Sequence, residues 1–393
     1  MRAQEHIPEL DGLRGIAIGL VLIWHYLFLL AKAAPATALS YALACFRLSW
    51  TGVDLFFVLS GFLICGILFD ARNSLGYFGT FYVRRFFRIV PAYAVCLCGA
   101  YTLSWLVRSG RAERFMFMTT DALPWPPYLL FLQNFSMALW NSLGAFGLGG
   151  TWSLAVEEQF YLTLPALVRF LNTRRLVIVL LCGIIAAPFL RVLLHALWPA
   201  RWASWFVLTP CRADALLLGS LAAIGLREPS CRVWLLRNKL LLRLSMGVLL
   251  VGLGLLTLRA PNPNDFLMLS VGYTWLALSY LSVLVYAVLF TGSSLSRCLR
   301  WKWLAWLGKI AYGTYLLHAF VLGGIFGALW SRPPLITNVS ELTATLFALT
   351  VTLTICQFSW KYFEKPLVRI GHRWNYSAKA AERAALAEAA IAQ

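Results

Sequence analysis

A chain of 393 residues that is 60% hydrophobic and 13% charged cannot fold as a water-soluble globule; it reads as an all-α polytopic membrane protein. Its formal charge of +18 requires no nucleic-acid partner, because basic residues gathered on one membrane face account for it. The nine cysteines are scattered without CxxC spacing, which argues against a disulfide framework or a metal site and suggests small buried apolar residues.

Ten apolar runs approach the roughly 20 residues that a bilayer requires: residues 15–31, 53–68, 89–107, 152–170, 176–197, 205–226, 241–258, 266–290, 310–329 and 342–362. With the N-terminus inside, most of the 34 lysines and arginines fall in cytoplasmic segments, so both termini are expected in the cytoplasm. Residues 1–374 then form one transmembrane domain, and 375–393 an Ala-rich cytoplasmic tail that is a short surface helix or disordered. The first run ends in Ala31-Lys32-Ala33, which looks like a signal-peptide cleavage site. Glu5, Glu9 and Asp11 before it and His25 within it argue that it is retained as a span.

Arg14 and His25 stand eleven residues apart at this first span. Eleven helical steps make about three turns plus 20° and rise about 16 Å, so both lie on one face. Arg14 is then near a membrane surface and His25 about halfway through, where an ionisable group costs several kcal/mol unless it is paired or lines a polar cavity. His318, in the ninth run, reaches a similar depth, with Tyr312 and Tyr315 on much the same face. Two histidines at one depth on different helices suggest a shared polar chamber; a purely structural alternative is hydrogen bonding between packed helices. His6, His195 and His372 fall at the surface or interface.

Residues 77–88, YFGTFYVRRFFR, read as a cytoplasmic loop entering the third span. Arg84 with Arg88, or Arg85 with Arg88, can share a helical face there, and guanidinium forks suit phosphate oxygens. Topology and aromatic anchoring alone are the bland alternative. On the outer side, Asp54 lies at the end of the second span, Glu157 and Glu158 a turn into the fourth, and Arg212 and Asp214 within the sixth. Arg212 is expected to neutralise one of these carboxylates. With Trp152 as a stacking face, and Tyr161 nearby, the group has the composition of a site for a polyhydroxylated acceptor; inter-helix ion pairing is the other reading. Glu157 shares a face with Trp152 and Tyr161, and Glu158 is rotated away. No Walker or GxGxxG phosphate loop and no fixed-period repeat is visible.

LDGLRGIAIGLVLIWHY, GVDLFFVLSGFLI, FYVRRFFRIVPAY, TWSLAVEEQFYL, RADALLLG and YGTYLLH, in that order over residues 8–318, resemble the motifs of the acyltransferase-3 family of bacterial integral membrane proteins. The resemblance implies ten core helices and transfer of an acyl group, usually acetyl, to sugars of surface polysaccharides or related acceptors. It also implies an essential Arg and His with ten residues between them, here Arg14 and His25, and a paired-arginine element, here Arg85 and Arg88. Ala311 stands where a serine is common in the last motif. A C-terminal SGNH-type esterase domain is not expected, so a second transfer step would need another protein, a separate periplasmic transferase.

These readings converge on one mechanism. Acyl-CoA, with acetyl the expected acyl group, binds from the cytoplasm through Arg14, Arg85 and Arg88, with its pantetheine arm bridging to a thioester near mid-bilayer. His25 acts as a base on an acceptor hydroxyl, or takes the acyl group covalently, the direct route being simpler. Glu157 or Glu158, Asp54, Trp152, Arg212, Asp214, Tyr315 and His318 hold a polysaccharide or glycolipid acceptor, and the bacterial inner membrane is the expected location. A polytopic sugar exporter would instead show inverted repeats, and no internal similarity is visible. A scaffold subunit is the third possibility; thioester hydrolysis or transfer by the purified protein separates the enzyme from both.

Overall fold

The computed structural model describes residues 7–31, 37, 41, 43–44, 46–260 and 262–376. His6, most of the cleavage-like sequence and the tail from residue 377 lie outside the described residues. Ten long helices follow in chain order: α1 (Pro8–Ile23), α2 (Gly52–Asp70), α3 (Tyr77–Arg108), α4 (Trp152–Phe170), α5 (Thr173–Leu197), α6 (Thr209–Gly225), α7 (Lys239–Arg259), α8 (Tyr273–Leu289), α9 (Ala311–Trp330) and α10 (Val339–Ser359). Each covers most of one expected apolar run. Among the described residues, nine helical segments are long and apolar enough to cross a membrane. α4 is the one long helix outside that group, because Glu157, Glu158 and Arg169 interrupt its 19 residues.

Two boundaries differ from the sequence reading. The expected loop over residues 77–88 is the opening of α3, a single 32-residue helix, because nothing in YFGTFYVRRFFR breaks an α-helix. Residues 113–151, which carry no apolar run, fold back on the bundle as short helices, including Gln133–Trp140. Fully buried Gln133 donates to the Thr151 carbonyl at 2.8 Å, and Asn134 donates to the Val207 carbonyl at 3.2 Å. Gln159 of α4 donates to Asn134 at 2.9 Å and accepts from the Thr209 hydroxyl. Buried amides need partners, and Asn134, Gln159 and Thr209 bond one another while tying the segment to α4 and α6.

The bundle centre is built on close backbone approach. A Cβ on Gly61 of α2 would stand 1.9 Å from the Leu216 carbonyl oxygen, and one on Gly219 of α6 would stand 2.2 Å from that of Val58. Only glycine at both positions lets α2 and α6 meet this tightly, a common device where helices associate without water to drive them. α7 occupies the rim: Leu244, Val248, Val251, Leu255 and Leu258, spaced by three and four, are all exposed, as a lipid-facing stripe should be. α1 is integral to the fold from its first turn. Glu9 is fully buried, accepts from Ser296 Oγ at 2.5 Å and pairs with Arg300 at 2.6 Å.

Among the described residues, helix geometry widens to a five-residue π turn in three places: Trp24–Phe28, Met268–Gly272 and Trp360–Glu364. Such turns are rare and frequently lie at functional sites. The first contains His25. Of the described cysteines, Cys65, Cys96, Cys211 and Cys356 are buried as expected, whereas Cys98, Cys182 and Cys298 are exposed on the bundle surface.

Candidate functional site

One cavity, with a volume of about 190 Å³, opens between α1, α2, α3, α4, α9 and the chain after α10. Its chemistry changes along its length. At one end, Arg14, Arg85, Arg88 and Lys309 contribute four cationic side chains. Arg14 pairs with Asp11 one turn earlier at 3.1 Å. Lys309 arrives on the helix Lys302–Lys309, which Gly308 seats against α1: a Cβ there would stand 2.0 Å from the Asp11 carbonyl oxygen. The Arg85 guanidinium lies 5.9 Å from the centre of the Tyr161 ring, and its Nε is buried with no hydrogen-bond partner among the described residues. Arg84 points elsewhere, donating to the Trp374 carbonyl at 2.9 Å and to Asn375 at 3.0 Å. The cavity therefore takes Arg85 with Arg88, the second of the two pairs that helical spacing allows.

Midway along the wall, Ser60 of α2 donates to Glu157 of α4 at 2.7 Å and stands 2.8 Å from the Tyr161 hydroxyl. Glu157 and Tyr161 share a face because they are one turn apart. Glu364, at the end of the last π turn, also lines the cavity and accepts from Ser359 at 2.8 Å. Glu158 turns away, as expected, and its Oε1 is buried with no hydrogen-bond partner among the described residues.

The far end is closed by Tyr315 of α9. Its hydroxyl donates to the Gly150 carbonyl at 2.9 Å and stands 2.6 Å from Ser153 Oγ. Tyr315 and Ser153 line the cavity, whereas His25 and His318 are not part of its lining. His318 follows three residues after Tyr315, with ring centres 6.1 Å apart. His25 meets His318 edge-on at 4.7 Å between ring centres, so the two helices bring their histidines to one place, as similar depth suggests.

The tautomers follow from the hydrogen bonds. A carbonyl can only accept, so His25 Nδ1, 2.9 Å from the Val21 oxygen, carries a proton. His318 Nδ1 likewise donates to the Tyr315 carbonyl at 2.8 Å. In neutral rings both Nε2 atoms hold free lone pairs, and His318 Nε2 is buried with no hydrogen-bond partner among the described residues. Tyr26, next to His25, fixes the pair from the other side: its hydroxyl donates to the His318 carbonyl at 2.8 Å and contacts Thr352 at 2.8 Å.

The outer-side cluster expected from the sequence is divided by the structure. Glu157 belongs to the cavity with the arginines. Asp54, Arg212 and Asp214 form a separate, fully buried network that does not line it. The pairing is also crossed. Arg212 pairs with Asp54 at 2.7 Å, while Asp214 is held by Arg191 of α5 at 2.9 Å and by the Thr274 hydroxyl at 2.7 Å. Arg212 packs over Tyr273 at 4.0 Å and Trp152 at 5.5 Å. Trp152 is thus buried beneath an arginine, so its ring is not an open stacking face. Depth is readable from the sequence, but the direction each carboxylate faces depends on which neighbour its helix turns toward. His195, half-buried in the last turn of α5, packs between Trp205 and Phe266.

Four cavity or network residues are not singled out in the sequence reading: Lys309, Glu364 and Arg191, which lie outside its motifs, and Ser60, which lies within GVDLFFVLSGFLI. Arg191 has a usable signal. It is a lone arginine deep inside an apolar run, and such a charge needs a buried partner. Glu364 follows the last run closely and has the same kind of signal, more weakly.

A family model described as an acyltransferase domain matches residues 7–361. The chain is 28% identical over 386 residues to the peptidoglycan O-acetyltransferase OatA of Listeria monocytogenes, covering 94% of this chain and 57% of that protein. It is 23% identical over 392 residues to the O-acetyltransferase OatA of Staphylococcus aureus, covering 95% of this chain and 59% of that protein. The chain thus spans less than two thirds of the length of these relatives. No solved structure matches it.

Proposed function

The chain belongs to the acyltransferase-3 family, and we propose that it is a membrane O-acyltransferase that moves an acetyl group from acetyl-CoA to a hydroxyl of a cell-surface polysaccharide or its lipid-linked precursor. The observation that carries this reading is a succession of contacts: Arg85 beside Tyr161, Tyr161 and Glu157 on Ser60, Ser153 one turn earlier in α4 on Tyr315, and His318 three residues past Tyr315 against His25, with Arg14, Arg88 and Lys309 lining the same cavity as Arg85. A donor with phosphates at one end and a thioester at the other matches that order. Arg14, Arg85, Arg88 and Lys309 meet the phosphates, arginine forks giving paired hydrogen bonds and lysine a point charge. The uncharged pantetheine arm runs past Glu157, Ser60 and Tyr161, which offer both hydrogen-bond acceptors and donors. In the bilayer the cationic end faces the cytoplasm, where acyl-CoA is found, and the concentration of basic residues there supports the same orientation.

Transfer is direct in this reading. The acceptor hydroxyl oxygen attacks the thioester carbonyl carbon while its proton passes to the free Nε2 of His25. The C–S bond then breaks, and the departing thiolate takes up a proton as the ester is released. Val21 fixes the His25 tautomer that makes Nε2 the base. His318, in contact with His25, shares the chamber and has a second unprotonated nitrogen for the acceptor hydroxyl. The relatives are named as O-acetyltransferases, one of them acting on peptidoglycan, and this supports a cell-wall glycan as the acceptor class.

The test is thiol release from acetyl-CoA by the purified protein in proteoliposomes, measured with a soluble cell-wall glycan fragment present as acceptor and with donor supplied to one face at a time. Release is expected only when donor meets the cationic end, and only with His25 present. No release from either face overturns the assignment of acetyl-CoA as donor.

A further inference from the structure

Tyr315 bounds the proposed donor cavity, and the way that side chain is held has a consequence for acyl selectivity. Its ring centre lies 6.1 Å from that of His318, and it is fixed from three directions. Gly150 and Ser153, at the start of α4, take its hydroxyl at 2.9 and 2.6 Å. Phe56 of α2 meets its ring edge-on at 6.2 Å. Its own backbone carbonyl is engaged by His318 Nδ1 at 2.8 Å. A ring clamped at its hydroxyl, edge and backbone is a wall, not a loose flap. The surroundings at this end are apolar: Val53, Phe56 and Phe57 of α2 face the same space.

From this geometry we infer that Tyr315 sets the length of the acyl group, admitting acetyl and excluding chains extended by two or more methylenes. This rests on the acyl-CoA reading. A donor anchored by its phosphates at the arginine end presents its acyl group toward Tyr315. The carbonyl carbon must come within reach of the histidine pair beside the Tyr315 ring, so that ring bounds the space left for the rest of the acyl chain. A longer chain would have to displace a ring that cannot move without breaking its contacts with Gly150 and Ser153. Pockets of this kind discriminate by roughly tenfold or more per methylene group when the wall is rigid.

The experiment compares initial rates of thiol release from acetyl-CoA and butyryl-CoA, with the same soluble glycan acceptor present, by the wild-type protein and Tyr315→Ala, each in proteoliposomes. The ratio of the two rates within one preparation is independent of how much protein is active. The wild type is expected to prefer acetyl-CoA by at least about tenfold, and Tyr315→Ala to lose most of that preference. Should the variant turn over neither donor, the same ratio is read as binding affinities by calorimetry, with Tyr315→Ala placed in a His25→Ala background. A wild type that uses both donors equally, or a variant whose ratio in either measurement is unchanged, overturns the assignment of Tyr315. A wild type that uses neither donor strikes instead at the acyl-CoA reading on which this one depends.

Discussion

His25 and His318, 293 residues apart in the chain, stand edge to face with ring centres 4.7 Å apart, and each spends its Nδ1 proton on a backbone carbonyl within its own helix. That arrangement leaves two unprotonated nitrogens on adjacent rings, outside the lining of the arginine cavity. A carbonyl acceptor orients each ring and is compatible with its neutral form. The π turn at Trp24–Phe28 presents His25 from a widened helix, which is the local change that takes it off the regular α1 register.

His25→Ala is expected to lower transfer by about 10²–10⁴, the usual loss on removing a general base. The variant should insert normally, because the hydrogen bond that His25 makes runs to its own helix and ties no other element in place. Acetyl transfer to glycan, followed by mass analysis of the product, is the readout. Full activity in a correctly inserted variant would remove His25 from the mechanism.

The double variant Arg85→Ala, Arg88→Ala is expected to weaken donor binding much more than acceptor use. Arg→Lys at either position should rescue poorly, since a lysine cannot form the paired contacts of a guanidinium. Calorimetry with CoA measures this directly. Unchanged CoA affinity in the double variant would place the donor elsewhere.

Much of this is legible in the sequence, and the remainder is not for an identifiable reason. Hydropathy shows where helices run, so each long helix covers most of an expected apolar run. It also shows depth, which is why counting residues along two helices is enough to set His25 and His318 at one level. Which way a helix is turned is another matter. Asp54 and Glu157 read as neighbours on one membrane side, yet Asp54 faces Arg212 of α6 while Glu157 faces Ser60 and the arginines. Rotation is decided by contacts such as the Gly61–Leu216 approach, between segments more than 150 residues apart. The π turns are equally hidden, because no composition signal in WHYLF or WKYFE separates them from ordinary helix.

Glu157→Gln and Glu158→Gln, one residue apart, should separate cleanly. Glu157 lines the cavity and accepts from Ser60 at 2.7 Å, whereas Glu158 does not line it. Glu157→Gln is expected to lower transfer by weakening acetyl-CoA binding, since Glu157 lines the proposed path of the pantetheine arm. Glu158→Gln is expected to leave turnover within a few-fold of wild type. If only Glu158→Gln loses transfer, the functional carboxylate is the other one; if neither does, both are structural.

The buried network at Arg191 and Asp214 offers the contrasting case, a site whose loss should appear in stability first. Arg191 is fully buried and satisfies the Leu269 carbonyl at 2.8 Å and the Cys211 carbonyl at 2.6 Å, as well as Asp214. The Leu269 carbonyl lies in the π turn Met268–Gly272, so the same side chain ties α5 to that turn and to α6. Removing one partner from such a pair strands a charge out of water, at a cost of about 3–5 kcal/mol. Arg191→Met should therefore lower the thermal unfolding midpoint of the detergent-solubilised protein sharply. Replacing both charges, with Arg191→Met and Asp214→Leu together, should recover part of the loss, because no unpaired ion remains. A single variant as stable as wild type but unable to use acceptor would reverse this assignment and return Asp214 to the acceptor site.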